Sequence, residues 1–176
     1  MGLLLRRDVL EVIQQTAGPL SNAHPILSTN SAFAALKTDG TVATWGRPGK
    51  GGDATSVMSE LTDVQTIHFA KEAFAALKTD GTVVAWGINT NGGNATSVTS
   101  ELTDVQTIYS TESSFAALKF DGTVVAWGSS GGTLPRKRLT NVQTISSTAF
   151  TFAALQTDGG RSLLGEVMVG ICLRKS

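Results

Sequence analysis

An all-β array of short stacked sheets is what this sequence predicts, and three observations carry the prediction. A stretch reading FAALKTDGTVATWG at 33–46 recurs as FAALKTDGTVVAWG at 74–87 and FAALKFDGTVVAWG at 115–128, and starts again as FAALQTDG at 152–159. Inside each full copy, Asp-Gly stands between two short apolar runs, the strongest local signal for a β-hairpin, because a tight primed turn needs positive φ. The copies return after 41 residues (Phe33, Phe74, Phe115) and then after 37 (Phe152). A fixed period in this range marks a solenoid or a propeller.

Residues 1–19 form a poorly defined N-terminal segment. RDVLEVIQQT at 7–16 has helix-like spacing at Val9, Val12 and Ile13, consistent with a short amphipathic helix. From Leu20 the array is under way, because Leu20 lies thirteen residues before Phe33, as Leu61 lies thirteen before Phe74. His24 and Pro25 replace the Gln and Thr of later copies, so the first strand is expected to be irregular or at an edge.

Within one unit, 74–77 (FAAL) and 83–86 (VVAW) are apolar on both faces, so both faces of the hairpin must be covered. Sheets stacked against neighbouring sheets satisfy that condition, with Ala75, Ala76 and Ala85 small enough for close packing beside Trp86. Gly87 and Gly92-Gly93 turn the chain, Val98 and Leu102 suit a short helix capped by Ser97, and VQTI at 105–108 alternates as a further strand. That gives three strands per unit, in units starting near Phe33, Phe74, Phe115 and Phe152. Segments 33–67 and 74–108 match at 27 of 35 positions, and four of the eight differences fall together at 47–50 against 88–91. Near-identity points to tandem duplication, and the clustered change marks a loop free to vary.

At these residues the chain resembles the regulator of chromosome condensation (RCC1) repeat, through LKxDGTVxAWG, a Gly-Gly turn and VQTI. In period it is still more similar to the short-blade propellers of the β-lactamase inhibitory protein type II kind. The resemblance covers 20–159 and implies a β-propeller of seven three-stranded antiparallel blades, of which this chain holds a partial ring of roughly three to four. The family's usual Gly-Gln is Gly-Gly here, at 51–52, 92–93 and 131–132.

After Asp158-Gly159 the repeat calls for TVVAWG, but the chain reads GRSLLGE. A coding string for TVVAWG read one base later gives Arg-Ser-Leu-Leu-Gly, the sequence at 161–165. Residues 160–176 are therefore expected to be a frame-shifted remnant of the next blade, and the chain a fragment of a longer array.

Composition excludes several function classes. Lys plus Arg (14) balance Asp plus Glu (14), which argues against nucleic acid as a partner. The single cysteine, Cys172, allows no internal disulfide and no multi-cysteine zinc site. No apolar run spans a bilayer, and MGLLLRR at 1–7 fits neither a secretory signal nor a myristoylation site. An intracellular setting, cytoplasmic or nuclear, follows as the expectation.

No residue constellation points to catalysis, a cofactor or a metal. Asp39, Asp80 and Asp121 are lone carboxylates in turns, each followed by Gly40, Gly81 or Gly122, without the several oxygen donors calcium needs. Trp45, Trp86 and Trp127, followed by Gly46, Gly87 and Gly128, read as packing between blades rather than lining a groove. GRPGKGG at 46–52 lacks the Ser or Thr and the spacing of a phosphate loop, and PRKR at 135–138 reads as a solvated loop. His24 and His68 sit in no metal or triad spacing, and Asn94-Ala95-Thr96 is a glycosylation acceptor only in a secreted chain. The function expected is a non-catalytic scaffold for binding another protein. Resemblance to the family places contacts in loops at the ring faces, here Arg47, Pro48 and Lys50 with Ile88, Asn89 and Asn91. Apolar blade faces at the ends of a partial ring predict self-association. Two alternatives stand beside this reading: the recognition part of a larger ubiquitin ligase or guanine-nucleotide exchange factor, and a decayed repeat without selected function.

Overall fold

The computed structural model describes residues 23–129, 139–158 and 161–169. The 1–19 segment, Gly131-Gly132, the 135–138 cluster and Cys172 lie outside the described residues. Four antiparallel sheets follow one another along the chain, each of three strands in sequence order. The first holds β1 (Ala23–Ser28), β2 (Ala32–Lys37) and β3 (Val42–Gly46). The second holds β4 (Val64–Phe69), β5 (Ala73–Lys78) and β6 (Val83–Gly87), and the third β7 (Val105–Ser110), β8 (Ser114–Lys119) and β9 (Val124–Gly128). The fourth holds β10 (Val142–Ser147), β11 (Thr151–Asp158) and β12 (Arg161–Val169). These are tandem propeller blades, and the first strands of successive sheets lie against one another.

The two-sided apolar runs bury on both faces. In the second sheet, Phe74, Ala76, Val84 and Trp86 share a cluster with Ala32, Ala34 and Val42 of the first. Ala73, Ala75, Leu77 and Val83 share another with Ile108, Phe115, Val125 and Trp127 of the third. One face of each blade thus carries the aromatics and the other carries alanines, so large side chains enter the space left by small ones. Phe74 pairs directly across from Trp86, the rings stacked at 5.2 Å, and Phe115 with Trp127 at 5.3 Å. Burying each such Phe contributes roughly 2–3 kcal/mol from apolar transfer.

The glycine turn of one blade closes over the aromatic pair of the next. Trp86 Nε1 donates to the Gly51 carbonyl at 3.1 Å, and Trp127 Nε1 to that of Gly92 at 3.0 Å. Gly92 has φ +89, and a Cβ there would stand 2.5 Å from Phe115 Cδ2. Only glycine combines that backbone with that approach.

Three local expectations change. The Asp-Gly turn is not a two-residue primed turn: Leu77 pairs with Val83, Lys78 N donates to Thr82 O, and Gly81 N donates to Lys78 O. Among 79–81 only Gly81 has positive φ, at 79°. This is the three-residue hairpin with a glycine bulge, in which the aspartate keeps a right-handed backbone. The expected helix near Val98 is a single 3-10 turn, Thr99–Glu101, with Val98 rather than Ser97 before it and no side-chain cap. The first strands carry a register shift in every sheet, not only at Pro25. In β1 it is wider, between Ala23 and Ile26, where proline has no N–H to give.

Candidate protein-contact face

Each blade has two ends, and the copies treat them differently. At one end sit the Asp-Gly turns. Asp80 Oδ1 accepts from Thr82 N (2.9 Å) and Thr82 Oγ1 (2.6 Å), and the arrangement repeats at Asp39–Thr41 and Asp121–Thr123. The threonine hydroxyl, then its N–H, holds each carboxyl below the usual aspartate value. These turns tie neighbouring blades together, since Val64 N donates to Gly40 O and Val105 N to Gly81 O. The carboxylates are spent on local geometry, and no group of three metal-ligating side chains exists among the described residues.

At the other end lie the loops joining first to second strands. All six residues of HFAKEA (68–73) differ from YSTESS (109–114), immediately after the run that matches at 27 of 35. The fourth blade reads SSTAFT (146–151) and the first LSTNSA (27–32). The backbone here is nonetheless shared: Asn30 N donates to Lys71 O, Lys71 N to Glu112 O, and Glu112 N to Ala149 O, at 2.8–3.0 Å. A constant frame therefore presents Asn, Lys, Glu and Ala at one repeated position. These loops border a concavity of about 460 Å³ whose lining includes Thr29, Lys71, Glu112 and Thr148.

The loops at 47–50 and 88–91 meet this same end. Pro48–Lys50 and Asn89–Asn91 are 3-10 turns. Lys50 Nζ pairs with Glu72 Oε2, and Asn91 Nδ2 donates to Glu112 O at 3.0 Å. Arg47 is exposed and Ile88 half-buried, while Pro48 and Asn89 border a separate groove of about 390 Å³ beside Trp86. The six residues singled out from sequence are thus divided: Lys50 and Asn91 reach the variable strand loops, and Pro48 and Asn89 face the groove. Phe69 and Phe150 stand 44% and 60% exposed at the variable end, an apolar display beside Lys71 and Glu112. The opposite end has a counterpart in Phe120, 73% exposed where the second copy has Thr79. The sequence signal for 68–73 lies in the six positions just past the matching run that ends at Ile67 and Ile108.

The four-sheet array, with aromatic faces packed on alanine faces and glycine turns over Trp86 and Trp127, defines a segment of a β-propeller. Comparison with solved structures agrees with that fold. The chain is similar to yeast RCC1 (Prp20) in its crystal structure bound to Kap60, at 17% identity, covering 77% of this chain and 42% of that one, with a TM-score of 0.55. A structure of Prp20p from Saccharomyces cerevisiae, described with its binding to Gsp1p and histones, matches at 16% identity over 78% and 44%, TM-score 0.53. Human WBSCR16 matches at 16% identity over 78% and 46%, TM-score 0.56. The chain spans less than half the length of each. No protein-family model and no curated protein matches it.

Proposed function

We propose that this chain is a non-catalytic protein-interaction scaffold that offers its variable loop end to a protein partner. The observation that carries the reading is the placement of differences between nearly identical copies: the two most diverged segments, 47–50 and 68–73, meet at one end. Drift without a binding role would scatter differences over every exposed position, including the turns at 79–81 that copy 38–40 without change. Exposed Phe69 and Phe150 beside Lys71 and Glu112 supply the aromatic and charged contacts that protein interfaces use. The similar Prp20 structure was solved with a protein bound, Kap60, which agrees with a propeller serving as a docking body. The setting that goes with this reading is intracellular, cytoplasmic or nuclear.

A photo-crosslinking residue placed at Lys71 or at Thr79 tests the reading, because both positions are exposed and lie at opposite blade ends. Position 71 is expected to give discrete protein adducts in cells, lost when the flanking 68–70 and 72–73 take the residues of 109–111 and 113–114 with the probe kept at 71, and position 79 none. Equal adducts from both positions overturn it.

A further inference from the structure

The interface between consecutive blades is written three times in this chain, and both of its halves are left open at the ends. Ala34 of one blade packs in a common cluster with Ile67 of the next, Ala75 with Ile108, and Ala116 with Ile145. Among the described residues, Ala153 has no following isoleucine and Ile26 no preceding alanine. Ala153 is exposed where Ala75 and Ala116 are wholly buried, and Ile26 is 54% exposed where Ile67 and Ile108 are 8% and 3%.

The aromatic pair repeats the pattern. Phe33 and Trp45 stack at 5.4 Å as the inner pairs do, yet Phe33 is 43% exposed while Phe74 and Phe115 are at 0%. Trp86 and Trp127 each give their indole N–H to a glycine carbonyl of the preceding blade; Trp45 has no acceptor among the described residues. The first sheet therefore presents the aromatic half of a blade interface, and the fourth presents the alanine half.

We propose that two copies of this chain close into one ring, the fourth sheet of each packing against the first sheet of the other. The occupant follows from continuity: the face that fits Ile26, Phe33 and Trp45 is an alanine face like those of Ala75 and Ala116, and the second strand of the fourth sheet carries one exposed at Ala153. A head-to-tail contact made twice closes on itself with twofold symmetry and leaves no end. Two copies supply eight blades, twice the four of one chain and within the range of closed propellers. This goes beyond the partner-binding reading and uses different residues, so the two fail separately.

Sedimentation velocity of the full chain is the test. The expected result is a species of about twice 18.3 kDa that does not grow with concentration. Phe33→Glu is expected to weaken association at least about tenfold by placing a charge in the apolar contact. Circular dichroism checks that each variant keeps its β signature, and Ile26→Ser serves where Phe33→Glu does not fold. Phe150→Ser, at the variable loop end, is expected to leave association unchanged. A monomer at all concentrations, open-ended growth, or a dimer indifferent to both Phe33→Glu and Ile26→Ser each overturns the proposal.

Discussion

The two ends of a blade are built from one chain and obey different rules. At the turn end, a change in Asp80 or Gly81 alters a carboxylate that holds Thr82 and a carbonyl that anchors Val105 of the next blade. The Asp and Thr side chains there are structural: 33–42 and 74–83 are identical in sequence, and the third copy differs from them at one position, the exposed Phe120. At the loop end the ladder from Asn30 through Lys71 and Glu112 to Ala149 uses backbone atoms only. The side chains of Asn30, Lys71, Glu112 and Ala149 take no part in that ladder, while the hydroxyls of Thr29, Thr111 and Thr148 beside them still bond loop N–H groups, and all six positions of 68–73 have changed relative to 109–114. The contrast teaches that duplication gave this molecule a fixed body with an editable surface.

The strongest way to break that contrast is to cut one phenylalanine at each kind of site. Phe115→Ala removes a fully buried ring that stacks on Trp127 and underlies Gly92, and is expected to cost about 3–5 kcal/mol. Phe150→Ala, at 60% exposure, is expected to change stability by less than about 0.5 kcal/mol. Urea unfolding of the two variants measures both, and comparable losses would remove the distinction between body and surface.

A finer cut falls between neighbours. Asn91 and Gly92 adjoin, but Asn91 belongs to the variable loop and Gly92 caps the aromatic pair. Gly92→Ala forces a side chain into left-handed backbone and against Phe115, for an expected loss of about 3 kcal/mol. Asn91→Ala loses one side-chain bond to Glu112 O and is expected to cost about 1 kcal/mol. If the alanine at 91 proves the worse of the two, the boundary has been drawn one residue off.

Much of the body was legible in the sequence. An Asp-Gly pair between runs apolar on both faces specifies a hairpin covered on both sides, and the 41-residue return specifies stacking. What could not be read lay where tertiary geometry chooses among local options. The turn type is one case: Asp-Gly serves a primed turn equally well, and the bulge is selected because Gly81 O must meet Val105 N. The fourth sheet is another. The third strand here does not read TVVAWG, yet β12 pairs with β11, with Phe152 paired to Met168, sixteen residues on, where Phe74 is paired to Trp86 after twelve. Backbone pairing tolerates the different sequence, and the register differs with it. The candidate face was half legible, because divergence at 47–50 is visible in the aligned copies, whereas its meeting with 68–73 depends on which strand ends share a blade end.

His68 offers a smaller effect that separates the two rules again. It stands at the first variable position after the matching run, half-buried on β4, and burial lowers its pKa below the ordinary 6.5. The unfolded chain then binds the proton more readily than the folded one. Its contribution is full above about pH 6.5 and falls as pH drops toward the depressed folded value. The expected slope is no steeper than about 1.4 kcal/mol per pH unit. His68→Tyr, the residue at the matching position 109, is expected to flatten the urea midpoint between pH 8 and pH 5, and an unchanged slope would place its origin elsewhere.

The smallest effect is spread over the turn end. Asp39, Asp80 and Asp121 are lowered from 3.8 chiefly by the threonine hydroxyls that bond them. A depressed carboxylate stabilises the fold above its unfolded value and loses that contribution as pH falls through the folded one, so the turns weaken only below about pH 4. All three are fully exposed, so each effect is modest and partly screened by solvent and salt. Replacing the three by asparagine keeps an oxygen that accepts from threonine and removes the titration. The variant is expected to lose ellipticity less steeply between pH 4 and pH 2, with little change at pH 7. Because the three turns are copies, single replacements should each give about a third of the change. A single position accounting for nearly all of it would mean that the turn end, too, has begun to specialise.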